Sequence, residues 1–194
     1  MKRIHDGAIG DLITARVYWN QGDIWAHKRQ PGWSDTEYQV RTSPDYGNIF
    51  DHHAVEFTYR NGAHCMSMCR QIPGCENNVS ESVVGTKGTW DGRPGSYTFD
   101  VDDKRSRLRV KEVNPYDQEH IDLISSIRAD APLNELRTVA ESTLTAIMGR
   151  DSAYTGKEIT WEKALSSELD TFPKELAWGP MKEGAVPRPG SYVI

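Results

Sequence analysis

The stretch that most constrains the fold runs from residue 48 to residue 90. Two runs of alternating polarity, His52 to Tyr59 and Ala63 to Ile72, flank Asn61-Gly62, a dipeptide whose tolerance of positive φ suits a two-residue hairpin turn. A turn that tight sets Tyr59 against His64, Phe57 against Met66, Val55 against Met68 and His53 against Arg70 on one face. The other face then pairs Glu56 with Ser67, Thr58 with Cys65 and Ala54 with Cys69. One side is built for a core, the other for water or a partner subunit. A third strand follows in Ser80 to Gly85, Thr86-Lys87-Gly88 is the next turn, and Thr89-Trp90 starts the return. The pattern reads as an antiparallel meander.

The flanking chain adds strands before helices. Residues 1–10 read as the tail of a helix reaching a strand through glycine turns. Leu12 to Trp19 alternates, with Ile13, Ala15, Val17 and Trp19 forming an apolar face. Short strands are expected near Ser96 to Phe99 and Arg107 to Val110, with Asp100 to Arg105 as a charged, solvated turn. Asn114-Pro115 opens a helix with a cap residue and proline at its first position. Its stripe is Ile121, Leu123, Ile124 and Ile127, and Asp130-Ala131-Pro132 ends it. A longer helix from near Asn134 repeats Leu136, Ala140, Leu144, Ile147 and Met148 up to Gly156, and Trp161 to Leu165 gives one more turn of helix. This order predicts an α+β fold, an open, mostly antiparallel sheet with helices packed on one face. Residues 1–165 read as a single domain and 166–194 as an extended tail, rich in proline and glycine, that wraps the surface.

With 194 residues, a formal charge of −5 and a pI near 5.7, the chain can bury one substantial core and lacks the basic footprint of a nucleic-acid binder. Mean hydropathy is −0.65, and neither a membrane span nor the apolar core of a signal peptide is present, so a cytoplasmic protein without membrane or nucleic-acid partners is expected. The three cysteines, Cys65, Cys69 and Cys75, are too few for a disulfide framework. Cys65 and Cys69 on one strand would stand roughly 13 Å apart, too far for a bridge or a shared zinc. They read as free thiols.

No G-x-G-x-x-G, G-x-x-x-x-G-K-[ST] or H-E-x-x-H occurs, which removes local support for dinucleotide, phosphate-loop and zincin chemistry. His52 and His53 point to opposite faces of a strand and cannot share one metal ion without a bulge. His53 beside Arg70 would be held neutral, as a base or simply as the polar end of a sheet face. His120, next to Glu119, reads as a packed or capping residue. Residues 20–43 lack periodicity and interleave tryptophans with cations. Asn20, Trp25, His27, Arg29 and Trp33 could stack on and hydrogen-bond a sugar or polyol there, or the tryptophans could fold back over the sheet.

RIHDGAIGDLITARVYWNQG, RQPGWSDTEYQVR, YGNIFDHHAVEF, MSMCRQIPG, VVGTKGTW, NPYDQEHIDLISSIR and AESTLTAIMGRDSAYTGKEITWEKAL together resemble the C-terminal domain of Gfo/Idh/MocA oxidoreductases, in particular their bacterial sugar or inositol dehydrogenase-like branch. The resemblance implies a large open sheet with helices on one face, a separate Rossmann domain for NAD or NADP, and oligomers formed through the sheet's other face. It further implies that the chain lacks the Rossmann half and has an internal deletion after Arg41, where the family carries its catalytic histidine and aspartate. No catalytic, cofactor-binding or metal residue carries over. Asn20, Trp25, His27, Arg29, Trp33 and Arg70 match segments near the family's substrate pocket. Three expectations follow, namely a homo-oligomer of inactive C-terminal domains, a sugar-binding module, or a subunit completed in trans by an NAD-binding partner chain.

Overall fold

A computed structural model describes residues 1–22, 30–34, 49–109, 113–172, 178–179 and 185–194. Its elements are α1 (Lys2–His5), β1 (Leu12–Gln21), β2 (His52–Thr58), β3 (His64–Gln71), β4 (Asn78–Gly85), β5 (Gly88–Arg93), β6 (Ser96–Val101), β7 (Lys104–Arg109), α2 (Pro115–Arg128), α3 (Leu136–Thr155) and α4 (Trp161–Leu165). The seven strands form one sheet in the order β2-β3-β1-β4-β5-β6-β7, the α+β, mostly antiparallel architecture expected.

The meander is not continuous, because β1 is inserted between β3 and β4. The hairpin register also differs from the expected one. Tyr59 N–H donates to the Ala63 carbonyl at 2.9 Å and Gln71 N–H to the Asp51 carbonyl at 2.8 Å, so His53 faces Cys69 and Val55 faces Ser67. The turn holds three residues, Arg60, Asn61 and Gly62. Gly62 alone takes positive φ, at +81°, and Asn61 Oδ1 accepts the Ala63 N–H at 3.1 Å. One residue more in the turn moves every β3 side chain to the other face.

The β6–β7 turn is tighter than the charge run suggested. Val101 pairs with Lys104, and Asp102 and Asp103 both take left-handed φ, +51° and +59°, as a type I′ turn requires.

The caps follow the sequence closely. Asn114 Oδ1 accepts from Tyr116 N–H at 3.1 Å with Pro115 at the first helical position, and Thr160 Oγ1 accepts from Lys163 N–H at 3.2 Å. The α2 stripe forms, yet no residue of α2 is buried. Ile121 is 55% and Ile127 67% exposed.

Packing divides the chain into two compact units. The first, Met1–Arg16, Thr58–Cys65 and Ser80–Ala146, has its core in Ile4, Ile9, Trp90 and Phe99, flanked by Val83, Tyr97 and Val101. Lys87 N–H donates to the Ile9 carbonyl at 2.9 Å, and a Cβ at Gly85 would overlap that same carbonyl, so the chain entering β1 lies directly on the β4–β5 turn. The Arg3 guanidinium sits 4.2 Å over the Phe99 ring.

The second unit, Val17–Phe57, Met66–Val79 and Ile147–Ile194, is organised by the last turns of α3. Gly149 lies against Val55 and Phe57 of β2, and Gly149, Asp151, Tyr154 and Thr155 are that helix's buried residues. The closing segment packs on the same turns, with Gly190 N–H donating to the Thr155 carbonyl at 2.8 Å. No helix among the described residues is long and apolar enough to cross a membrane.

Candidate functional site

Within the second unit, the end of the β2–β3 hairpin gathers polar groups against aromatic rings. The corrected register puts His53 and Gln71 on one face as diagonal neighbours, roughly 7–8 Å apart. His53 lies 6.1 Å from the Tyr154 ring, stacked, and 5.8 Å from Phe50. Phe50 meets Tyr154 edge-on at 4.8 Å, and Tyr192 meets it at 5.7 Å. Tyr154 is 6% exposed, so the rings form a floor.

On the same helix as Tyr154, Asp151 is 2% exposed. Its Oδ1 accepts from Arg150 Nε at 2.8 Å and Nη2 at 2.7 Å. A buried carboxylate without such a partner would be strongly destabilising. The pair fixes the turn of α3 that carries Tyr154.

Burial, aided by the neighbouring His52, pushes the His53 imidazole below its ordinary value, which favours the neutral ring able to accept a proton or hydrogen bond. Burial pushes the Tyr154 phenol above its ordinary value, which keeps it a donor. Gln71 Oε1 is buried with no hydrogen-bond partner among the described residues. A buried acceptor left open is costly unless something donates to it. Together these groups match the chemistry of a hydroxyl-bearing ligand.

Arg70 projects to the opposite face and does not meet His53, so the expected pair is not formed. Its Nη1 donates to the Gln21 carbonyl at 3.1 Å and to the Ile72 carbonyl, and its Nη2 to the Glu76 carbonyl. Arg70 thereby ties the end of β1 to the connection leaving β3. Asn20 is half-buried on β1, next in sequence to Gln21. Trp33 is half-buried, with its backbone N–H on the Gln30 carbonyl at 3.2 Å. Trp25, His27 and Arg29 lie outside the described residues.

His52 Nδ1 pairs with Asp51 Oδ1 at 2.7 Å on the exposed face. His120 is exposed and bonds the Tyr116 carbonyl at 2.6 Å, a local helix contact. Gln71, Tyr154 and Asp151 were missed as site residues, because the register slip put Gln71 on the wrong face and α3 was read only for its apolar stripe.

No metal cluster of His, Cys, Asp or Glu occurs among the described residues. Nor do they offer a dinucleotide cradle. Among them no strand passes through a glycine-rich turn into a helix, the arrangement that aims amide N–H groups at a pyrophosphate.

The chain has the fold of the C-terminal part of Gfo/Idh/MocA-type oxidoreductases. Among solved structures it is similar to UDP-N-acetylglucosamine 3-dehydrogenase GnnA from Acidithiobacillus ferrooxidans, at 9% identity and a TM-score of 0.50, over 68% of this chain and 50% of that one. It is also similar to KijD10, a 3-ketoreductase from Actinomadura kijaniata solved with NADP, at 9% identity and a TM-score of 0.43, over 69% of this chain and 49% of that one. A third is biliverdin reductase from Synechocystis sp. PCC 6803 with biliverdin and NADP+, at 11% identity and a TM-score of 0.45, over 66% and 50%. The chain thus spans about half the length of the structures it matches. No family model matches it, and no curated protein does.

Proposed function

We propose that the chain is the substrate-side half of an NAD(P)-dependent oxidoreductase acting on a sugar or polyol. In this reading it binds the polyol and associates through a sheet face. The nicotinamide is held by a nucleotide-binding fold that the described residues do not form, and the chain alone transfers no hydride. The carrying observation is the fold shared with half of GnnA, a UDP-N-acetylglucosamine 3-dehydrogenase.

The open Gln71 acceptor beside a neutral His53 supports a ligand rich in hydroxyls. The uncovered α2 stripe supports association with a further protein surface.

Titrating myo-inositol, simple sugars and UDP-N-acetylglucosamine against the fluorescence of the six tryptophans tests the binding. A saturable change abolished by Gln71→Leu is expected; a flat response to every ligand ends the reading. Light scattering tests the association, which a strict monomer would remove. Recovery of turnover on adding an NAD-binding chain that copurifies would select completion in trans.

A further inference from the structure

The strands that bury Trp90 and Phe99 on one face carry a polar ladder on the other. Register places Ser82, Asp91, Thr98 and Arg107 in one row across β4 to β7, Asp100 beside Arg105 in a second, and Arg93 beside Ser96 in a third. A cavity of about 580 Å³ lies on this face, lined in part by Arg93, Arg105, Arg107, Asp91, Ser96 and Thr98.

Its charge is biased. Three arginines line the cavity, and register puts all three on this face. Of its two acids, Glu81 is in register with Gly92 and has its carboxylate on the Trp90 face, 3.0 Å from where a Gly92 Cβ would stand. Asp91 remains, two strands from Arg107, roughly 10 Å between backbones.

The arginines are not spent on one another's neighbours. Arg107 Nε donates to Ser96 Oγ at 3.1 Å, which orients its fork while leaving its Nη groups available. The side chains of Arg93 and Arg105 have no hydrogen-bond or ion-pair partner among the described residues. Forked cations beside hydroxyls at a cavity suit the oxygens of a phosphoryl group.

The geometry points to a binding site for the phosphate ester of a small polyol. The phosphoryl group is held by Arg93, Arg105 and Arg107, and a ligand hydroxyl donates to Asp91. The carboxylate disfavours bare inorganic phosphate and rewards an ester that brings a hydroxyl to it. This site is separate from the hairpin end in the second unit, and phosphate binding reads it whether or not neutral sugars bind there.

Isothermal titration with inorganic phosphate, glycerol 3-phosphate and glycerol tests it. Glycerol 3-phosphate should bind more tightly than phosphate, and glycerol should show no heat. Arg107→Gln should weaken both anions about tenfold, the loss of one charge-assisted contact. Asp91→Asn should narrow the gap between ester and phosphate, and Arg128→Gln, on α2, should change nothing. Should Arg107→Gln unravel the edge strand, Arg93→Gln on β5 gives the same reading. Equal affinity in the Arg107, Arg93 and Arg128 variants would overturn the site. So would a dimer that Arg107→Gln dissociates and phosphate does not, since a second copy would then fill the face.

Discussion

Gly149 of α3 stands so close to Phe57 of β2 that a Cβ at position 149 would come 3.2 Å from the ring's Cζ, with the Val55 methyl groups at 3.6 and 3.7 Å. The helix reaches the sheet here because the residue between them has no side chain. Gly149→Ala gains roughly 1 kcal/mol of helix propensity and spends much of it moving the ring, so stability should change by less than about 1 kcal/mol. Gly149→Leu has no room and should cost roughly 1–3 kcal/mol by overpacking. Urea denaturation of the two variants checks the contrast, and equal stabilities would refute the close approach.

Arg70 gathers the carbonyls of Gln21, Ile72 and Glu76, three acceptors that no compact ammonium can reach together. Arg70→Lys should therefore lose nearly as much stability as Arg70→Met, about 2 kcal/mol on the scale of charge-assisted hydrogen bonds. Amide exchange should quicken at residues 72–77 first. Full rescue by lysine would show that charge rather than the fork is what matters.

How much of this was legible depends on the range of the interaction. Caps at Asn114 and Thr160 and the alternation of β2 are local, and residue types declare them. The hairpin register turned on whether Arg60 joins the turn, a choice made by Gly62 φ and the Asn61 side chain together. The insertion of β1 beside β3 is a long-range pairing that no local pattern encodes; the register took Arg70 off the His53 face, and β1 gave it the Gln21 carbonyl to hold. Asp151 shows the limit most clearly, since a lone aspartate in a helix gives no sign that it will be nearly fully buried.

His53 makes the pH dependence of stability readable. Its folded value lies below the ordinary 6.5, through burial first and the neighbouring His52 second, opposed by Asp51 and a hydrogen bond with the Phe50 backbone. Above about pH 6.5 the ring is neutral in both states and costs nothing. As pH falls from there towards the folded value, the unfolded chain takes up a proton that the folded ring refuses, and stability drops. Below the folded value both states are protonated and the loss levels off. Denaturation midpoints from pH 8 to 5 should fall more steeply for the native chain than for His53→Gln, and parallel curves would remove the assignment.

Asp102 and Asp103 hold the β6–β7 turn with left-handed φ at both positions and two like charges side by side. Type I′ turns place asparagine and glycine there because asparagine tolerates the first angle and glycine meets no steric cost at the second. Asp103→Gly should stabilise the hairpin by up to about 1 kcal/mol, since strain relieved in the fold outweighs the added freedom of the unfolded chain. Asp103→Val, β-branched at positive φ, should lose at least that much. Thermal unfolding of the pair separates the outcomes, and a neutral valine variant would mean that a longer, solvated loop joins these strands instead.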